Sequence, residues 1–128
     1  MTPELSMLVW AVALTFAQML VAASGATMQV GLPKLAGNRE DVQPCTGWAG
    51  RAQRAHRNML ESLVLFAALV LAAHAAGVSS SMTVLGAQLF FWGRLAYAVV
   101  YVAGIPWLRT GVWAVSIVGL VLIFLQLV

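Results

Sequence analysis

The run Arg51-Ala52-Gln53-Arg54-Ala55-His56-Arg57-Asn58-Met59-Leu60-Glu61 gathers guanidinium groups, an amide and a carboxylate into one short stretch. At about 100° per helical residue, Arg51, Arg54, Arg57, Asn58 and Glu61 fall within an arc of roughly 120°, and His56 points elsewhere. Farther along, Arg94, Tyr97 and Tyr101 stand at i, i+3 and i+7, again one helix face. Arg109 and Thr110 open the last apolar stretch. Guanidinium forks bind carboxylates through paired hydrogen bonds and a glutamate accepts an ammonium group, so this set suits an anionic, flexible, polar ligand.

The elements that must position these side chains are membrane helices. The chain is 62% hydrophobic and 9% charged, against roughly 45–50% and about 25% in soluble domains. Crossing a hydrocarbon core of about 30 Å takes about 20 apolar residues, and four such spans are read at Leu5 to Val30, Arg54 to Ala76, Met82 to Ala103 and Thr110 to Val128. They use up the length, so residues 1–128 form a single all-α integral membrane domain. The polar connection Gly31 to Gln53 joins the first two spans. Gly77 to Ser81 reads as a short turn, and Gly104-Ile105-Pro106-Trp107 separates the last two spans because proline disfavours helix in the residue before it. Short connections imply antiparallel neighbours in an up-and-down four-helix bundle. The first span carries Glu4 and no cation at its start, unlike a signal peptide with its positive leading region, and is read as a membrane helix.

Lysines and arginines set the orientation. Lys34, Arg39, Arg51, Arg54 and Arg57 lie in or beside the first connection, and Gly77 to Ser81 carries none. Loops 31–53 and 104–109 are therefore expected on the cytoplasmic side and both termini opposite it. The net charge of +3 is accounted for by this asymmetry, so no nucleic-acid partner is needed to explain it. The lone Cys45 has no second cysteine to bridge, His74 sits at the interfacial end of its span, and no metal-ligand spacing is present.

Glu61 lies about two turns inside its span, where an unpaired carboxylate costs several kcal/mol, so it is expected to face a cation, Arg57 at i−4 or Arg94. Bland alternatives stay open for each group. Arg51, Arg54 and Arg57 suit headgroup anchors, Asn58, Glu61 and Arg94 an interhelical polar clamp, and Tyr97 and Tyr101 an interface belt.

The pattern Arg-x-x-Arg-Ala-His-Arg-Asn-x-x-Glu at Arg51 to Glu61 resembles the signature of the membrane-associated proteins in eicosanoid and glutathione metabolism (MAPEG). That family contains microsomal glutathione transferases, leukotriene-C synthase and microsomal prostaglandin-E synthase. The resemblance extends along the chain through the four-helix layout, the polar loop Asn38-Arg39-Glu40-Asp41 and Arg94-x-x-Tyr97-x-x-x-Tyr101. It implies a MAPEG-like homotrimer with glutathione bound between subunits near the cytoplasmic face. The implied ligand set is Arg51, Arg54, Arg57, Asn58, Glu61, Arg94, Tyr97 and Tyr101. Arg109 matches an arginine that stabilises the glutathione thiolate and Thr110 a neighbouring hydroxyl, the implied catalytic pair. A cation beside a thiol raises its thiolate fraction, which is the chemistry such a pair provides.

Three departures stand beside the match. Many catalytic members carry an arginine near the end of the first helix, where this chain has Met28-Gln29-Val30-Gly31. One extra residue separates Pro106 from Arg109 relative to the prostaglandin enzyme, and Trp113 replaces an aromatic bearing a hydroxyl. Two function classes follow. One is a glutathione transferase or peroxidase acting on lipophilic small molecules that arrive from the surrounding membrane lipids. The other is a non-catalytic MAPEG-like protein that binds another anion or a lipid, or serves as an assembly partner.

Overall fold

The computed structural model describes residues 1–40 and 42–128; Asp41 of the polar loop lies outside the described residues. The elements are α1 (Pro3–Gln29), α2 (Leu32–Ala36), α3 (Gly47–Ala75), α4 (Ser81–Ala103) and α5 (Pro106–Leu127). The four long ones are each apolar and long enough to cross a membrane, so this is an integral, multi-pass, all-helical protein.

Two helix starts differ from the expected edges. Pro106, read from sequence as a break, is the first residue of α5, a position where proline's missing N–H and fixed φ are harmless. Arg109 and Thr110 therefore sit on the first turn of a helix. Likewise α3 begins at Gly47, well before Arg54, so Arg51 and Gln53 are helical. At 29 residues α3 measures about 44 Å, more than the about 30 Å of hydrocarbon, and its arginine-bearing first turns extend toward the headgroups. The short α2 inside the first connection was not foreseen.

α1 packs against α3 and α4, and α4 lies closest to α5. In lipid the hydrophobic effect does not press helices together; dispersion contact and polar clamps do so. The α4–α5 pair meets through glycines. A Cβ on Gly86 would stand 2.7 Å from the Gly119 carbonyl oxygen, and one on Gly93 3.0 Å from the Ser116 nitrogen. Around that seam Phe66 of α3 stacks on Phe90 of α4 with ring centres 4.0 Å apart. Met59, Val70, Ala87, Leu120 and Ile123 complete the apolar core.

Each end of the bundle has its own polar fastening. On the side of the chain termini, Glu4 is 4% exposed, and its Oε2 accepts from the Ser79 hydroxyl at 2.7 Å and the Thr83 hydroxyl at 3.1 Å. Thr83 also belongs to the capping box that starts α4, and Glu4 lies in the first turn of α1. The carboxylate thus rests at two positive helix ends. On the opposite side the Gln29 amide grips the loop before α3 twice, donating to the Thr46 carbonyl at 2.8 Å and accepting from the Thr46 N–H at 2.9 Å. Gln29 occupies the stretch where the resemblance leads one to look for an arginine.

Candidate functional site

The face predicted on the second span is real, and α4 and α5 close it into a groove. Arg54, Arg57, Asn58 and Glu61 of α3 line a crevice of about 220 Å³ with Tyr97 and Tyr101 of α4. Asn58 and Tyr97 are shared with a second crevice of about 250 Å³, whose other walls are Arg109, Thr110 and Trp113 of α5. The i, i+3, i+7 spacing on α3 and the i, i+4 spacing on α4 bring these groups to common faces. The early start of α5 at Pro106 turns Arg109 toward them.

Tyr101 joins the cations. Arg54 Nε donates to its hydroxyl at 3.1 Å, and the Arg109 guanidinium carbon lies 4.7 Å from its ring centre. A cation over the quadrupole of a tyrosine ring is held by roughly 0.5–2 kcal/mol, so Arg109 is steered toward the groove, with no carboxylate paired to it among the described residues. Tyr97 packs on Tyr101 with ring centres 5.4 Å apart.

The arrangement offers several guanidinium donors and, among the described residues, one carboxylate. Arg54, Arg57 and Glu61 are exposed and Arg109 is half-buried. The ion pair anticipated between Glu61 and Arg57 or Arg94 is not formed: Glu61 stays open to the groove, and Arg94 donates instead to Asn58 Oδ1 at 2.7 Å. The reason is geometric. Met59, Ser62 and Phe66 take the inward face of α3 and leave Glu61 on the outward one, whereas Arg94 points into the α3–α4 contact.

Two residues from the predicted set stand apart from the groove. Arg94 is 1% exposed and lies beneath Asn58 and Tyr97, its guanidinium carbon 4.3 Å from the Tyr97 ring centre. Arg51 donates from Nε to the Val102 carbonyl at 2.9 Å, so it satisfies an orphan carbonyl at the C-terminal, negative end of α4. Both crevices exclude them. Conversely, Trp113 lines the Arg109 crevice without having been singled out for it, although the i, i+4 interval from Arg109 carries the signal.

On the far side of Arg57, between α1, α2 and α3, lies a larger cavity of about 570 Å³. Its walls include Met19, Ala22, Ala26 and Leu60, with Arg39 and His56 among its polar residues. Arg57 thus stands between a polar groove and a mostly apolar one.

Against known protein families, residues 5–128 match the MAPEG family model. No curated protein and no solved structure matches the chain significantly.

Proposed function

The chain belongs to the MAPEG family, and from that premise we propose that it is a membrane-bound glutathione-dependent transferase or peroxidase acting on lipophilic electrophiles. The observation that carries the proposal is the pair of crevices meeting at Asn58 and Tyr97, one lined by Arg54, Arg57 and Glu61 and the other by Arg109 and Thr110.

The donor set fits glutathione, which has two carboxylates, one ammonium group and a thiol. Arg54 and Arg57 would hold carboxylate, and Glu61 is the one carboxylate lining the two crevices among the described residues, suited to the ammonium. When bound, glutathione supplies a sulfur nucleophile that attacks an electrophilic carbon or reduces a peroxide bond. Arg109 provides fixed positive charge for the developing sulfur anion, and Thr110 a hydroxyl donor beside it. Trp113 walls the crevice on its apolar side. Tyr101 holds Arg54 and Arg109 in register through its hydroxyl and ring.

Assembly as a homotrimer is part of the same reading. Arg54, Arg57 and Glu61 are exposed on the single chain, and a carboxylate midway along α3, as Glu61 is, calls for a protein neighbour. Glutathione would then lie between subunits. The arginine asymmetry supports an orientation with loops 31–53 and 104–109 in the cytoplasm and both termini opposite.

The cavity at Met19, Ala22, Ala26 and Leu60 with Arg39 and Arg57 beside it favours a second reading, a non-catalytic protein holding an anionic lipid. Equilibrium dialysis of the purified, cross-linked protein separates the two. Glutathione retained by a trimer supports the enzyme. Retention of anionic lipid alone, or a protein that cross-links only as a monomer, contradicts it.

A further inference from the structure

Arg94 is the most buried charged side chain at the heart of this site, and it touches neither crevice. Its Nη2 donates to Asn58 Oδ1 at 2.7 Å, and its plane lies against the Tyr97 ring. Its Nε and Nη1 are buried without a hydrogen-bond partner. A guanidinium has donors only, so the asparagine atom facing it must be the carbonyl oxygen. The amide Nδ2 is then turned away from Arg94, has no hydrogen-bond partner among the described residues, and belongs to a residue that lines both crevices.

We propose that Arg94 is a positioning residue that fixes the polarity of the groove: by engaging the Asn58 carbonyl it obliges Asn58 to present an N–H donor to the ligand. With Arg94 in place, Asn58 joins Arg54, Arg57 and Arg109 as a donor, and Glu61 is the acceptor among them. The junction of the two crevices then favours a carboxylate or carbonyl oxygen and disfavours a ligand donor there. Without Arg94, the Asn58 amide is free to turn over, and the groove loses that selectivity without losing a contact atom. The same guanidinium, lying against the Tyr97 face, holds the other residue shared by both crevices.

The inference rests on glutathione being the ligand only for its affinity readout. Three variants of the full chain, purified in detergent, test it: Asn58→Asp, Arg94→Leu and Arg94→Lys. Asn58→Asp keeps an acceptor toward Arg94, so its melting temperature is expected to be no lower than the parent's. It shows the groove an oxygen, and its glutathione affinity is expected to fall about tenfold or more, the scale of one hydrogen bond to a charged group. Arg94→Lys still donates to the carbonyl and should bind within about threefold of the parent. Arg94→Leu should bind about tenfold more weakly, with the loss falling on the half-saturating concentration rather than on turnover. Unchanged affinity in Asn58→Asp, or a lowered melting temperature with unchanged affinity in Arg94→Leu, overturns the inference. A parent that binds no glutathione overturns the functional reading instead. The positioning role is then decided by stability alone, where a lower melting temperature for Asn58→Asp counts against it and an equal or higher one supports it.

Discussion

The guanidinium of Arg109 lies 4.7 Å from the centre of the Tyr101 ring, so the last transmembrane helix and the third meet at the groove through a cation and an aromatic face. The same tyrosine takes a hydrogen bond from Arg54. A single side chain thereby couples the end of the site proposed for carboxylate to the end proposed for sulfur.

Under the proposed function, this coupling separates two kinds of arginine. Arg109 acts where charge develops, so Arg109→Ala should lower the catalytic constant by roughly 10²-fold or more, the scale of one electrostatic donor. Arg57 faces charge that is fixed throughout, so Arg57→Ala should chiefly raise the half-saturating glutathione concentration. Steady-state kinetics with an aryl halide or a lipid hydroperoxide measure both, and equal effects on the two parameters would reject the division of labour.

Glu61 is open to the groove and unpaired among the described residues, so its removal should spare the fold and alter recognition. Glu61→Gln is expected to bind glutathione about tenfold more weakly, the worth of a charge-assisted hydrogen bond. It should bind an analogue lacking the amino group as well as the parent does. If the variant and the parent discriminate between glutathione and that analogue to the same degree, Glu61 does not receive the ammonium.

The Glu4 fastening predicts stability without function. Glu4→Ala leaves the Ser79 and Thr83 hydroxyls without their shared acceptor and should cost about 1–3 kcal/mol. Glu4→Gln, which keeps an acceptor oxygen, should cost less. Thermal unfolding in detergent gives the order, and glutathione affinity should be the same in all three proteins.

The glycine seam between α4 and α5 admits no side chain. Gly86→Val would drive its Cβ to 2.7 Å from the Gly119 carbonyl and 2.8 Å from Ile123 Cγ1, and overpacking of this kind costs about 1–3 kcal/mol. Because α5 carries Arg109 and α4 carries Tyr101, the shift should also reduce turnover. A variant with parental melting temperature and activity would mean that the helices can part at no cost.

The sequence made some of this legible and concealed the rest for definable reasons. The groove face of α3 follows from helical periodicity alone, as does the alignment of Tyr97 with Tyr101, because both depend on spacing within one helix. Arg51 shares that periodicity, yet one turn farther out it meets the end of α4, a relation that only the tertiary arrangement creates. Arg94 has the right type and spacing for a ligand contact; its burial beneath Asn58 depends on how α3 and α4 cross. The Glu4 clamp links residues 75 and 79 positions apart, beyond any local pattern, although a carboxylate in a first helical turn was a hint. Pro106 was read as a helix breaker when the first-turn preference of proline made it equally a helix starter.

If the groove binds glutathione with Arg109 beside its sulfur, that sulfur is held as the thiolate. Ultraviolet difference absorbance on adding glutathione to the purified protein near neutral pH reads the thiolate directly, without any acceptor substrate. The account predicts a thiolate band that saturates with glutathione in the parent and is lost in Arg109→Ala, while Arg109→Ala still binds glutathione by dialysis. A parent that binds glutathione with no thiolate band, or a band of equal size in Arg109→Ala, would contradict it.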